Sequence, residues 1–315
     1  MLIAVVVSCS DRPVDHDRIE TVTIGPPGPV VRDLAIGGGS VWVTGYREIV
    51  RIDEHTHEVV QRIAIDGHAE AVSADEDRVW AVIDRERVAA IDTSTGRVVA
   101  MIDVPGQVND VATGPAGVWT VSDRGIYEID PSRSTATRRR SASPGQEPWS
   151  IALGQEQVWV VTNSGDSCSG ATRSRIITID PMSGRVAADT WVDGPVRGVA
   201  VGDGAVWVTI NEGCDDDPGA VSTVLRFDSA LHVTARTPVG RYADTPSVGH
   251  GCVWVAYSPR FDADDTLARL DADTGEVTDT VVSNGFTAST AASDDAVWTT
   301  NQADDVGQDT VTIVR

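Results

Sequence analysis

Leu34-Ala-Ile-Gly-Gly-Gly-Ser-Val-Trp-Val-Thr44 has a near copy far down the chain, Val199-Ala-Val-Gly-Asp-Gly-Ala-Val-Trp-Val-Thr209. Each reads as a short apolar strand, a tight turn of small residues, and a second strand carrying tryptophan. The Val-Trp pair or its like returns at Trp42, Trp80, Trp119, Trp159, Trp207, Trp254 and Trp298. The interval averages about 43 residues, which places the chain among repeat architectures. Only Trp149 and Trp191 fall outside the series.

The flanks repeat as well. After the tryptophan comes a variable loop and an alternating strand ending in Asp: Ile49-Val-Arg-Ile-Asp53, Val88-Ala-Ala-Ile-Asp92, Ile176-Ile-Thr-Ile-Asp180, Leu267-Ala-Arg-Leu-Asp271. Turns such as Asp92-Thr-Ser-Thr-Gly96 and Asp271-Ala-Asp-Thr-Gly275 follow. Asp there bonds its own backbone further on, and Gly takes the positive φ. A fourth strand, as in Arg97-Val-Val-Ala-Met-Ile102, completes the unit. Four short antiparallel strands per repeat describe a propeller blade, whose apolar faces only its neighbours can cover. Seven tryptophans predict an all-β, seven-bladed β-propeller with the indoles wedged between blades. The chain ends at Asp309-Thr-Val-Thr-Ile-Val314, a third strand without a fourth, and Arg18-Ile-Glu-Thr-Val-Thr-Ile24 is a fourth strand without the first three. The last blade is therefore expected to be closed by the N-terminal strand. Residues 18–315 are expected to form one propeller domain, and residues 1–17 a remnant of a signal or lipoprotein segment and tether.

Among 315 residues, 25 Lys+Arg face 47 Asp+Glu, a net charge of −22, and every basic residue is Arg. Such a field repels phosphate backbones and anionic lipid, so nucleic acid is excluded as a partner. Without lysine there is no Schiff base, lysine general base or P-loop. The run Leu2–Ser8 is too short to span a bilayer. It resembles the end of a secretory signal. Val6-Val7-Ser8-Cys9 looks like a bacterial lipobox, so export is expected, with Cys9 as a lipidation site and any membrane contact limited to that anchor. Location is then extracellular or in the cell envelope, and the chain is expected to be a monomer.

Val41-Trp-Val-Thr44, Val206-Trp-Val-Thr209 and the Ile-Asp-x-x-Thr-Gly turn at 91–96 resemble the YVTN-type propellers and, more loosely, the quinoprotein-like repeats. The likeness covers nearly the whole chain and implies the fold, with functions ranging from binding scaffold to enzyme. Quinoprotein repeats carry a docking tryptophan after the Thr-Gly turn. Val98-Val99 and Val277-Thr278 stand there instead, so pyrroloquinoline quinone is not expected.

In a propeller, the links from fourth to first strand and from second to third strand surround one mouth of the central channel. Ten residues before each tryptophan stand Arg32, Glu70, Asn109, Trp149, Arg197, Asp244 and Ala288, with Asp33 and Asp110 one place on. A uniform scaffold with unlike residues at its mouth suggests a ligand site; a solvated channel is the plain alternative. Asn163 and Asn211, four after their tryptophans, join the candidate ligand-binding set. Asp33, Glu70, Asn109 and Asp110 supply oxygens of the kind Ca²⁺ takes, with Mg²⁺ also open. Long loops at Asn163–Arg173, Asn211–Ala220 and Ser258–Asp265 should project from this face. Cys168 and Cys214, in two of them, are expected to form a disulfide. Cys252 is expected to stay a free, buried thiol. Arg138-Arg139-Arg140 reads as a charged outer strand, or else as a docking patch for an acidic partner.

Two functions stay open. The first is an exported scaffold binding a small molecule or protein at the channel-mouth loops, without chemistry. The second is a metal-dependent lyase or lactonase with His68 or Glu70 as base, since streptogramin-lyase-like propellers use a histidine near Mg²⁺.

Overall fold

The computed structural model describes residues 14, 19–25, 31–154, 156–164, 172–212, 220–249, 251–259, 265–283, 285–293, 295–302 and 308–315. Strand β1 (Glu20–Thr23) stands apart in sequence from the sheet it joins. A first sheet takes β2 (Leu34–Gly37), β3 (Ser40–Asp53), β4 (Val59–Ala74), β5 (Arg78–Ile83), β6 (Arg87–Asp92) and β7 (Arg97–Asp103). The second comprises β8 (Val108–Gly114), β9 (Gly117–Ser122), β10 (Gly125–Asp130) and β11 (Thr135–Ser141). The third holds β12 (Glu147–Gly154), β13 (Gln157–Ser164), β14 (Arg173–Ile179) and β15 (Val186–Asp193). The fourth holds β16 (Val196–Gly202), β17 (Ala205–Glu212), β18 (Val221–Phe227) and β19 (Val233–Pro238). In the fifth are β20 (Ser247–Gly249), β21 (Cys252–Tyr257), β22 (Thr266–Asp271) and β23 (Val277–Val282). The sixth is β24 (Phe286–Ala292), β25 (Val297–Gln302), β26 (Thr310–Val314) and, beside β26, β1.

The described strands thus make a β-propeller of six blades, which corrects the expectation of seven. Trp42 and Trp80 share the six-stranded sheet. Strand β3 turns back on itself near Arg47, whose φ is 57°, and Glu54 N donates to Gly39 O at 3.3 Å. Strand β4 then pairs first with β3, through Ile52↔Val59 to Tyr46↔His68, and next with β5, through Ala69↔Ile83 to Ala74↔Val79. Four of the five corresponding links elsewhere contain a proline (Pro105, Pro144, Pro195, Pro246) and the fifth is Ser283-Asn-Gly285; proline cannot donate to a ladder. Ile65-Asp-Gly-His68 has none and stays extended. The two halves of this sheet pack face to face, Trp42 and Ile49 against Val79, Ala81 and Ala89.

The indoles are the wedges between layers. Trp119 packs with Val121 and Ile126 of its own sheet against Ile151, Val158 and Ile177 of the next, and Trp298 packs likewise on Leu34, Val41 and Val50. Six of the seven are at most 1 % exposed, and Trp254 is 7 % exposed. On the innermost strand a small residue faces each: Ala35, Ser73, Ala112, Ala152, Ala200, Ser247 and Ala291 pair directly with the seven tryptophans. Directly opposed residues share a sheet face, so only a small side chain leaves the ring its space. Next to the axis even a methyl is too much. A Cβ on Gly154 or Gly202 would lie 2.9 Å from the Cβ of Val201 or Val248 in the following sheet.

The third-to-fourth-strand turns follow the expected chemistry. The Asp92 carboxylate accepts from Ser94, Thr95 and Arg78, which holds it below the usual carboxylate range. Gly96 closes that turn at φ 63°. Strand β1 lies antiparallel to β26, from Glu20↔Ile313 to Thr23↔Thr310. Arg138–Arg140 lie on β11, the outer strand of its sheet, with Arg139 over the Trp119 ring at 5.9 Å. Among the described residues no helix is long and apolar enough to cross a membrane.

Ala152→Leu and Gly202→Ala should each destabilise the fold by about 1–3 kcal/mol, because the added atoms have no room. Urea unfolding would show lower midpoints; midpoints equal to that of the parent would mean that the inner strands are not tightly packed.

Candidate functional site at the channel mouth

A cavity of about 460 Å³ lies on the axis. Arg32, Asp33, Glu70, Asn109, Asp110, Trp149, Arg197 and Asp244 all border it, so eight of the sequence candidates come together. A local irregularity puts several of them there. Register slips by one residue between Ala69 and Ala71, Val108 and Asp110, Pro148 and Ser150, Val196 and Gly198, and Thr287 and Ser289. The extra residues are Glu70, Asn109, Trp149, Arg197 and Ala288. A β-bulge leaves its residue unpaired and re-aims the side chain. Five inner strands therefore bulge at one level, each with a different residue at the bulge.

Hydrogen bonds tie this ring together. Arg32 Nη1 lies 3.0 Å from Glu70 Oε2. Asn109 Nδ2 donates to Glu147 Oε1 at 3.0 Å and to Pro148 O at 2.8 Å, while Arg85 donates to its Oδ1. Trp149 Nε1 donates to Arg197 O at 3.1 Å.

Below the ring, the carboxyls of Asp33 and Asp110 latch one inner strand to the next. Asp33 accepts from Val72 N at 2.7 Å, from Leu34 N at 2.9 Å and from Ser289 Oγ at 2.7 Å. Asp110 accepts from Val111 N at 2.7 Å, Ser150 Oγ at 2.9 Å and Ile151 N at 3.0 Å. Asp244 accepts from Thr245 N at 2.7 Å. All three keep part of their surface open to the channel, yet the protein around them removes enough water to raise their pKa values. Burial pushes Asp110 up to about 7 against its hydrogen bonds, with the Asp33 charge adding to the rise. Asp244 goes up to about 6, chiefly by burial, and the Asp33 and Asp265 charges add to it while Arg197 opposes. Asp33 is raised by burial too.

Other candidates fall elsewhere. His68 is exposed, edge-on to Tyr46 with ring centroids 4.5 Å apart, and does not border the cavity. Asn163 is a strut: its Oδ1 accepts from Val196 N and Ser174 Oγ, and its Nδ2 donates to Val196 O. Asn211 accepts from Ser222 Oγ at 2.5 Å and is likewise away from the cavity. The four residues named for a cation, Asp33, Glu70, Asn109 and Asp110, each have protein partners of their own. Among the described residues no three His, Cys, Asp or Glu side chains form a group that could hold a metal ion. Ser150 and Ser289, which bond the channel carboxyls, stand nine residues before their tryptophans, a mouth position that the sequence count reached without adding them to the candidate set.

Cys252 is disulfide-bonded, which corrects its expected state as a free thiol. Its burial beside Val14 in one apolar cluster is also compatible with a buried thiol, so position alone did not distinguish the two. Cys9, Cys168 and Cys214 lie outside the described residues, as do the interiors of the three long loops, so the proposed Cys168–Cys214 bond and Cys9 lipidation fall there.

No family model matches the chain, and no curated protein matches it. Solved structures do. Hydrazine synthase of Kuenenia stuttgartiensis aligns with 93 % of this chain and 97 % of its own, at 15 % identity and a TM-score of 0.74. The β-propeller domain of Cps50 (Swd1) from Myceliophteria thermophila covers 93 % and 99 %, at 10 % identity and a TM-score of 0.70. BamB from Moraxella catarrhalis covers 90 % and 85 %, at 14 % identity and a TM-score of 0.59. These likenesses establish a shared β-propeller fold.

The channel acids make stability depend on pH in a defined direction. Above about pH 4 an unfolded Asp has lost its proton, whereas folded Asp110 keeps its own to about pH 7. The contribution of Asp110 to stability therefore falls as pH rises through that window. Thermal melts at roughly pH 5 and pH 8 should show a smaller difference for Asp110→Asn than for the parent. An unchanged difference would contradict the raised pKa.

Proposed function

We propose that this chain is an exported, YVTN-type propeller that binds a ligand or partner protein at its channel mouth and catalyses no reaction. The observation that carries this is the level of bulges, where one repeated backbone feature presents four chemically unlike polar or aromatic side chains, Glu70, Asn109, Trp149 and Arg197, to one cavity. Strand ends of the same face carry large exposed apolar groups: Tyr46 is 55 % exposed, Phe286 57 % and Val282 61 %. Aromatic residues and arginine around a central depression are what binding hot spots use. A fold shared with BamB and with the Cps50 propeller domain fits a binding scaffold. The Cys252 disulfide supports an oxidising compartment and hence export, with Cys9 as the anchor where lipidated.

A photo-crosslinking residue placed at Tyr46, Trp149 or Phe286 in the native cell should trap one recurrent species, and the same probe at Val98 or Val99 on outer strand β7 should trap none. Equal trapping at both places, or none at the mouth, would overturn the assignment.

A further inference from the structure

Cys252 is disulfide-bonded, and the chain offers it three partners, Cys9, Cys168 and Cys214, all outside the described residues. The described residues that flank each one limit where its sulfur can reach. Bridged cysteines have Cα atoms at most about 7 Å apart, and each residue of chain spans at most about 3.6 Å. Residues two or three places beyond a repeat tryptophan are level with the channel mouth: Ile210 pairs with Val196 beside the Arg197 bulge, and Ala256 O accepts from Asp244 N at 3.0 Å. Cys252 stands two places before Trp254, at the opposite end of β21, where it pairs with Gly249. Its surroundings are therefore those of the far face, and the argument holds whatever the mouth binds.

Two of the three partners are out of reach. Glu212 ends β17 five places beyond Trp207. The matching place beyond Trp254 lies seven residues from Cys252, about 23 Å along the strand. Cys214 is two residues from Glu212, a tether of about 7 Å. Cys168 is four residues from both Ser164 and Thr172, a tether of about 14 Å. It starts from the mouth end of the third sheet, with the whole fourth sheet between it and Cys252. Cys9 differs. Val14 is 7 % exposed and shares one apolar cluster with Cys252, Trp254, Val297 and Val314. The chain five residues after Cys9 is thus seated in the same cluster as Cys252, and five residues cover about 17 Å.

We propose that Cys9 and Cys252 form a disulfide that staples the N-terminal segment to the fifth sheet, beside the seam where β1 closes the sixth. Each thiol gives up its proton, the S–S bond forms, and the two electrons reduce an acceptor protein disulfide to a dithiol, as an oxidising compartment allows. A sulfur used in this way carries no lipid thioether, so a molecule with this bond has no anchor at Cys9. Peptide mapping tests the pairing. With no lysine in the chain, trypsin cuts at arginine and leaves the four cysteines on four separate peptides. The full chain, exported by a bacterial host, is alkylated in denaturant without reductant, digested and weighed by mass spectrometry. The peptide with Cys9 should be joined to the one with Cys252, and reductant should part them. Cys9→Ser should leave Cys252 as a newly alkylated thiol and lower the melting temperature by about 5 °C or more, whereas Cys214→Ser should leave the Cys9–Cys252 pair intact. Cys252 joined to the peptide of Cys168 or Cys214, Cys252 alkylated in the parent, or an unchanged melting temperature in Cys9→Ser would each overturn the proposal. Mapping of the parent decides the pairing by itself where Cys9→Ser does not accumulate.

Discussion

Six of the tryptophan rings lie between their own sheet and the next and Trp42 between the two halves of the six-stranded sheet, and the rest of the molecule is arranged around the space those rings need. A buried indole removes on the order of 200 Å² of surface from water, far more than any other residue in the repeat. It fits because the directly opposed residue of the inner strand is Ala or Ser in every copy. Toward the axis the sheets converge, and there Gly154 and Gly202 abut valines of the following sheet. Large residues between the sheets and small ones at the centre are two sides of one packing problem, that of wedges around a narrow hole.

Crowding at the axis also shapes the mouth. Inner strands too close for large side chains can still exchange hydrogen bonds, and Asp33 and Asp110 do so by accepting backbone amides from neighbouring strands. Those bonds hold the ring together at the cost of gathering negative charge in a space with little water. Burial and mutual repulsion raise the acids' pKa values, while backbone donors pull the other way. The same carboxyls thus serve architecture and set the field of the cavity, so binding and stability at the mouth are coupled. Above them the bulges free one side chain per strand from the ladder, which lets this level vary without disturbing the sheets.

Much of this was legible in the residues. The tryptophan period gave the strand pattern, the Asp-x-x-x-Gly spacing gave the turns, and counting back from the indoles gave eight cavity residues. That counting worked because a repeat fixes where each position stands relative to the axis. It failed for Asn163, whose amide satisfies the backbone of Val196, for Asn211, whose amide oxygen accepts from the Ser222 hydroxyl, and for His68, which leans outward onto Tyr46. Sheet count failed for a different reason. It assumed a break at every link, and the Ile65–His68 stretch continues as strand where its counterparts, four of them carrying proline and one Ser-Asn-Gly, stop.

Local sequence therefore determined the elements, their order and which face of each is apolar, since these follow from period-two alternation and turn chemistry within a few tens of residues. Tertiary structure alone decided how many sheets result, the bonding of Cys252, and the meeting of Asp33, Asp110 and Asp244 around one cavity. Those outcomes depend on which distant strands become neighbours, and on the low-dielectric surroundings that only the closed ring creates.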